Sequence, residues 1–234
     1  MTKPVEQGIT REVLLAGGLA DWIRKAQPDV HVLTDAERAE NLAGILAQRP
    51  EHCDGLWVFA YGSLMWNPAI HVTQTRLACA LGWHRDFCLA TKGGRGDADN
   101  PGMMLGLKPG GVCHGAVLRI AEHDIALELD LLWRREMVAS GYIPHWVDVL
   151  DEQGAPLGHA ITFTINPDGP SYCAGLPEPE LVLRLATARG RLGTAAEYLF
   201  RTRDGLRAMG IHDDMMERLG EKVEKLQHAL KIPA

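Results

Sequence analysis

Apolar positions change period along the chain, and the change divides it into three stretches. Up to about residue 50 they recur at helical spacing. Residues 12–25 mix apolar and charged side chains in a helical pattern that Gly17-Gly18 weakens. Thr34-Asp35-Ala36-Glu37 has the form of a capping box, with a helix through Leu42, Ile45 and Leu46 after it and Arg49-Pro50-Glu51 ending it. From 56 to about 165 the pattern is mainly strands: 56–61, 74–81, 83–91, 103–107, 112–120, 146–150 and 158–165. Lys108-Pro109-Gly110-Gly111 and Asp151-Glu152-Gln153-Gly154 read as hairpin turns. One helical pattern, from about His123, interrupts the strands. After Pro167-Asp168-Gly169-Pro170 come helices over 180–189, 194–209 and 213–230, with Gly190, Gly193 and Gly210 near their ends. A strand-rich middle with helices gathered at the termini predicts an α+β fold. Residues 1–55 are expected to be a helical N-terminal extension, and 56–234 a single domain that includes the C-terminal helices.

Composition narrows the function classes. A chain of 234 residues with 46% hydrophobic and 23% charged residues is ordinary globular material, sufficient for a sizeable core. A formal net charge of −6 argues against nonspecific binding to nucleic acid or to anionic membranes, but leaves room for a local basic pocket. No apolar run approaches the ~20 residues of a membrane span. Met1-Thr2-Lys3-Pro4-Val5-Glu6-Gln7 lacks the apolar core of a secretion signal, so the expected location is cytoplasmic. Five cysteines, Cys53, Cys79, Cys88, Cys113 and Cys173, form no C-x-x-C pair, which favours reduced thiols. Cys79 and Cys88 fall in strand patterns and read as core residues. Nothing in the pattern sets an oligomeric state.

Two features carry candidate chemistry. Phe59-Ala60-Tyr61-Gly62-Ser63-Leu64 follows the apolar Leu56-Trp57-Val58 and reads as a buried strand opening into a tight loop. Such a loop can aim backbone N–H groups at an anion or a developing oxyanion. The second feature is Glu136. At about 100° per residue, Ile125, Leu129, Leu132 and Glu136 share one stripe, with Glu128 and Arg135 on its rim and Arg134 pointing away. A carboxylate on an apolar stripe is costly unless paired or neutralised, and its raised pKa suits a general base. Neither Arg134 nor Arg135 shares that face, so neither is an automatic partner. His84 reads as structural. Gly94-Arg95-Gly96-Asp97 reads as a flexible loop, in which Arg95 is a candidate contact for a substrate carboxylate. No G-x-S-x-G elbow, phosphate loop, G-x-G-x-x-G fingerprint or compact histidine spacing occurs, so neither a cofactor nor a metal is expected.

Tyr61-Gly62-Ser63-Leu64 followed by Trp66-Asn67-Pro68 resembles the opening signature of the ChaC-like γ-glutamylcyclotransferases. Gly82-Trp83-His84-Arg85-Asp86-Phe87-Cys88, then Arg95-Gly96 with Asn100-Pro101-Gly102, are similar to the family's next segments. Trp133-Arg134-Arg135-Glu136-Met137 with Gly141-Tyr142 resembles its catalytic-glutamate helix, and Leu192-Gly193 with Glu197-Tyr198-Leu199 its C-terminal signature. The resemblance implies a small, partly closed β-barrel with its site at one mouth and flanking helices. It implies cyclisation of the γ-glutamyl group of glutathione to 5-oxoproline with release of Cys-Gly. Glu136 would be the proton shuttle, Gly62, Ser63 and Leu64 the oxyanion site, and Tyr61 and Tyr142 binding groups. The interval from Glu136 to Tyr142, six residues, is longer than in some relatives. Three alternatives stay open: another γ-glutamyl amide as substrate, a noncatalytic binder of γ-glutamyl ligands, and a metal hydrolase.

Overall fold

The computed structural model describes residues 8–50 and 55–232. Met1 to Gln7, Glu51 and Cys53, on which some of the expectations rest, lie outside the described residues. Among the described residues, three helices precede the strands: α1 (Arg11–Leu15), α2 (Gly18–Ala26) and α3 (Asp35–Ala47). The single helical pattern expected over 12–25 is thus two helices, broken at Gly17, whose φ of 68° is left-handed. The Thr34–Glu37 capping box forms in both directions.

Five strands make a closed barrel: β1 (Leu56–Ala60), β2 (Gln74–Thr91), β3 (Gly102–Ile120), β4 (Tyr142–Leu150) and β5 (Pro156–Ile165), in the order β1-β3-β2-β4-β5. A parallel seam joins β1 to β5 at Val58 and Ile161, so the barrel is closed where the resemblance implied partial closure. Phe59, Leu105, Leu107, Ile161 and Phe163 are among the residues that fill the core.

One turn expectation is overturned. Lys108-Pro109-Gly110-Gly111 is not a hairpin; β3 runs through it, and β2 runs through Gly82 beside it. Leu81 pairs with Val112 and Trp83 with Pro109, so Gly82 faces Gly110 and Gly111 across a bulge. All three glycines have positive φ (79°, 104° and 77°), and His84 Nδ1 donates to the Gly110 carbonyl at 2.9 Å. The glycines bend a two-stranded ribbon instead of reversing it. Asp151-Glu152-Gln153-Gly154, by contrast, is the β4–β5 hairpin, with Asp151 Oδ1 accepting from Gln153 and Ala155 N–H.

Helix α4 (Ile125–Glu136) follows β3 and buries Leu129, Leu132 and Trp133 against the barrel. A small hairpin, β6 (Arg189–Gly190) with β7 (Gly193–Thr194), sits between α5 (Glu178–Thr187) and α6 (Ala195–Ala208), and α7 (Asp214–Leu230) closes the chain. Leu14, Leu19 and Ile45 of the first helices join the same core as the barrel and C-terminal helices. The segment expected as a flexible loop, Gly94-Arg95-Gly96-Asp97, is instead packed. Gly94, Arg95 and Gly96 are buried, and Asp97 Oδ1 accepts from the N–H groups of Asp99 and Asn100.

Candidate active site

The loop after β1 tightens into a 3-10 turn, Ser63–Met65. The first amides of such a turn have no carbonyl one turn back to bond, so they remain available to a ligand. Gly62 precedes the turn with φ −142°. Its missing side chain matters through contact: a Cβ there would stand 3.1 Å from the Tyr198 hydroxyl.

Glu136, on the last turn of α4, meets this loop. A cavity of about 20 Å³ is lined by Tyr61, Gly62, Ser63, Leu64, Glu136 and Tyr142, with Leu105, Phe163 and Tyr198 completing the wall. The sequence-predicted loop, glutamate and both tyrosines therefore come together. Arg95 does not reach this cavity. Its side chain is buried, ion-paired with Glu197 at 2.8 Å and donating to the Thr194 carbonyl at 2.9 Å. It lines a separate, larger pocket next door.

Burial pushes the Glu136 carboxyl above its ordinary value of 4.5, against the pull of Arg135. The Glu136 side chain is 14% exposed, and Arg135 Nε lies 2.8 Å from its Oε1. The expectation that Arg135 would not be an automatic partner is thus corrected. From the rim of the stripe its long side chain folds back beside Glu136, with Nη2 donating to Ser63 Oγ at 2.8 Å and Nη1 to the Asn67 carbonyl. One guanidinium therefore ties the carboxyl to the loop.

Three phenols surround this pair. Tyr61 donates its hydroxyl to the Phe163 carbonyl at 2.7 Å, and Tyr142 donates to the Leu105 carbonyl at 2.8 Å. With their protons committed, both oxygens keep only acceptor capacity for a ligand. Burial raises both phenols well above 10, and Tyr198 to about 12 despite a hydrogen bond from the Leu105 backbone. All three stay neutral near pH 7. Sequence reasoning misses Tyr198 as a site residue because it comes from α6, far along the chain from the loop and from Glu136. Its place in the Glu197-Tyr198-Leu199 signature is the only sequence signal.

Glu128, placed on the rim by periodicity, is fully buried. Burial alone would raise its pKa. The paired bonds from Arg11, at 2.6 and 2.7 Å, and the His71 N–H, at 2.9 Å, outweigh that and hold it low. Two glutamates two turns apart on α4 thus have opposite shifts: Glu128 clamps α1, while Glu136 faces the cavity. No group of three His, Cys, Asp or Glu among the described residues is placed to hold a metal ion. No helix among them is long and apolar enough to cross a membrane.

The family described as ChaC-like protein matches residues 56–226. A glutathione-specific γ-glutamylcyclotransferase of Escherichia coli is 41% identical over 190 residues, which is 81% of either chain. A human glutathione-specific γ-glutamylcyclotransferase 1 is 29% identical over 66% of this chain and 71% of its own. A solved yeast γ-glutamyl cyclotransferase specific to glutathione superposes with a TM-score of 0.67 at 22% identity, covering 73% of this chain and 96% of its own. The barrel, the loop after its first strand and the match across most of the chain agree, and the protein belongs to the ChaC-like family.

Proposed function

We propose that this chain cyclises the γ-glutamyl group of glutathione, releasing 5-oxoproline and Cys-Gly. The observation that carries it is Glu136, a carboxyl raised by burial in one cavity with the Tyr61–Leu64 loop and three neutral phenols. The names of the relatives favour glutathione over other γ-glutamyl amides.

The substrate supplies its own nucleophile, so no serine or cysteine elbow is required. Its α-ammonium rests against the Glu136 carboxylate and the acceptor oxygens of Tyr61 and Tyr142. An amino group titrates at about 8, well above the 4.5 of an ordinary glutamate, a gap that burial of Glu136 narrows. Glu136 takes the ammonium proton, and the freed nitrogen attacks the γ-carbonyl carbon. The carbonyl oxygen becomes an oxyanion facing the Gly62, Ser63 and Leu64 amides, each such donor being worth about 3–4 kcal/mol. The bond to the cysteine nitrogen then breaks as Glu136 returns the proton to that leaving amine, and the attacking nitrogen sheds a second proton to become the lactam N–H. The two protons lost from the α-ammonium are matched by the two gained as Cys-Gly leaves as an ammonium. A bent γ-glutamyl chain held in the cavity lowers the entropic part of the barrier. Arg135 keeps the carboxyl aimed at the loop.

In this scheme residues 56–234 carry the chemistry. The helical segment before them walls an outer pocket of about 140 Å³, where Leu19, Trp22 and Ile23 face Glu136 and Tyr142. A cytoplasmic location suits the free thiols of Cys79, Cys88, Cys113 and Cys173.

Incubation of the purified chain with glutathione in EDTA, followed by assay of both products, tests the proposal. Equimolar 5-oxoproline and Cys-Gly are expected, with no turnover of N-acetylglutathione, whose amine is blocked. Free glutamate as product, or turnover of the acetylated compound, would show that water or a side chain is the nucleophile.

A further inference from the structure

Beside the Glu136 cavity lies a pocket of about 490 Å³ that shares Ser63 and Tyr198 with it. Five arginines line it, Arg95, Arg135, Arg189, Arg191 and Arg201, against one carboxylate, Glu197. That is a local excess of positive charge on a chain whose formal net charge is −6. Three of the five are engaged internally. Arg95 and Arg201 both pair with Glu197, at 2.8 and 3.1 Å, and Arg135 holds Glu136 and the loop. Arg189 and Arg191 are exposed and have no acidic partner among the described residues. The Arg191 guanidinium lies over the Trp22 ring, 5.9 Å from its centroid, a contact that orients it without neutralising it.

The backbone that carries these two arginines is firmly seated. They flank Gly190 on the β6–β7 hairpin, where Leu192 N–H donates to the Gly94 carbonyl at 2.8 Å and Arg191 N–H to that of Gly93 at 3.3 Å. A Cβ at Gly190 would stand only 2.4 Å from the Gly94 oxygen, so the hairpin lies directly on that loop. The backbone of two uncompensated arginines is thereby fixed at the edge of a pocket that shares Ser63 and Tyr198 with the Glu136 cavity.

We propose that Arg189 and Arg191 bind the terminal carboxylate of the leaving group, and so select γ-glutamyl peptides over γ-glutamyl amines. The inference rests on the cyclotransferase activity proposed above. A dipeptide leaving group extends about 7 Å beyond the scissile bond and ends in a carboxylate, for which the guanidinium fork is the matching donor. A γ-glutamyl amine places no charge there.

The test compares glutathione with its C-terminal amide, both assayed by 5-oxoproline release from the full chain. For the unaltered enzyme kcat/KM should be about tenfold lower or more for the amide, as expected for loss of a charge-assisted contact. Added salt should narrow that gap. An Arg189→Gln, Arg191→Gln double variant should lose a similar factor on glutathione, mainly through KM, and treat the two substrates alike. Equal kcat/KM for acid and amide in the unaltered enzyme overturns the inference while leaving the cyclotransferase activity standing. Absence of 5-oxoproline from both substrates overturns the two together. The substrate comparison uses no variant, so it decides the matter even if the double variant fails to fold.

Discussion

Replacing Glu136 by glutamine separates basicity from shape. In the folded protein the carboxyl lies above its ordinary 4.5 because burial costs the ionised form more than the Arg135 guanidinium, 2.8 Å away, gives back. A raised folded-state pKa means that the neutral group suits the native state better than the ionised one, with the attraction of Arg135 already counted. Glutamine is a neutral group of the same size, and Arg135 keeps Ser63 Oγ and the Asn67 carbonyl as acceptors. The melting temperature of Glu136→Gln should therefore hold or rise at pH 7. Below 4.5 the native glutamate is protonated in both folded and unfolded states, so any gain should vanish there; it builds as pH rises through 4.5 and is complete above the folded-state pKa. Catalysis should move the opposite way. Loss of the proton shuttle should lower kcat by at least about 10²-fold, or about 2.7 kcal/mol of barrier. The acid limb of the wild-type rate profile should also lie above the 4.5 of an ordinary glutamate. Assay of 5-oxoproline release and thermal unfolding on one preparation reads both effects. Near-normal turnover in the glutamine variant would refute the role of Glu136, and a large loss of stability would refute the energetic account of its burial.

Gly62→Val should lower turnover on the order of 10²-fold, because its Cβ would meet the Tyr198 hydroxyl at 3.1 Å and displace the loop; normal kinetics from a variant folded by circular dichroism would count against the loop as oxyanion site. Tyr142→Phe removes an acceptor oxygen and the donor to the Leu105 carbonyl. It should raise KM for glutathione and cost about 1 kcal/mol of stability, and unchanged KM would place Tyr142 outside the binding site. Glu128→Gln weakens the paired bonds from Arg11 and should cost about 2 kcal/mol, or about 4–8 °C in melting temperature. Because the Glu128 carboxyl is held below 4.5, that contribution is present above 4.5 and fades as pH falls through its lowered folded-state pKa. The melting curves of the wild type and of Glu128→Gln should therefore converge in acid, and a gap that persists there would assign the loss to packing alone.

Features settled by neighbouring residues were legible in the sequence. The Thr34–Glu37 box, the Asp151–Gly154 hairpin and the apolar face of α4 each depend on partners within a few positions, so composition and period suffice to place them. The loop and Glu136 were legible too, one as a break in a strand, the other as a charge in phase with an apolar stripe. Partners distant in sequence were decided only by the tertiary structure. Pro109-Gly110-Gly111 has the local chemistry of a turn, yet pairing along the whole of β2 makes it a bulge, because the ladder on both sides outweighs one flexible site. Arg135 is set beside Glu136 by Ser63 and Asn67, which lie on another element. Glu128 has its meaning reversed by Arg11, 117 residues away. Tyr198 enters the cavity from α6, where spacing records only that it is buried, not what it is buried beside. Periodicity reports which face of an element avoids water; which groups meet across that face depends on how the barrel closes and where the helices land on it.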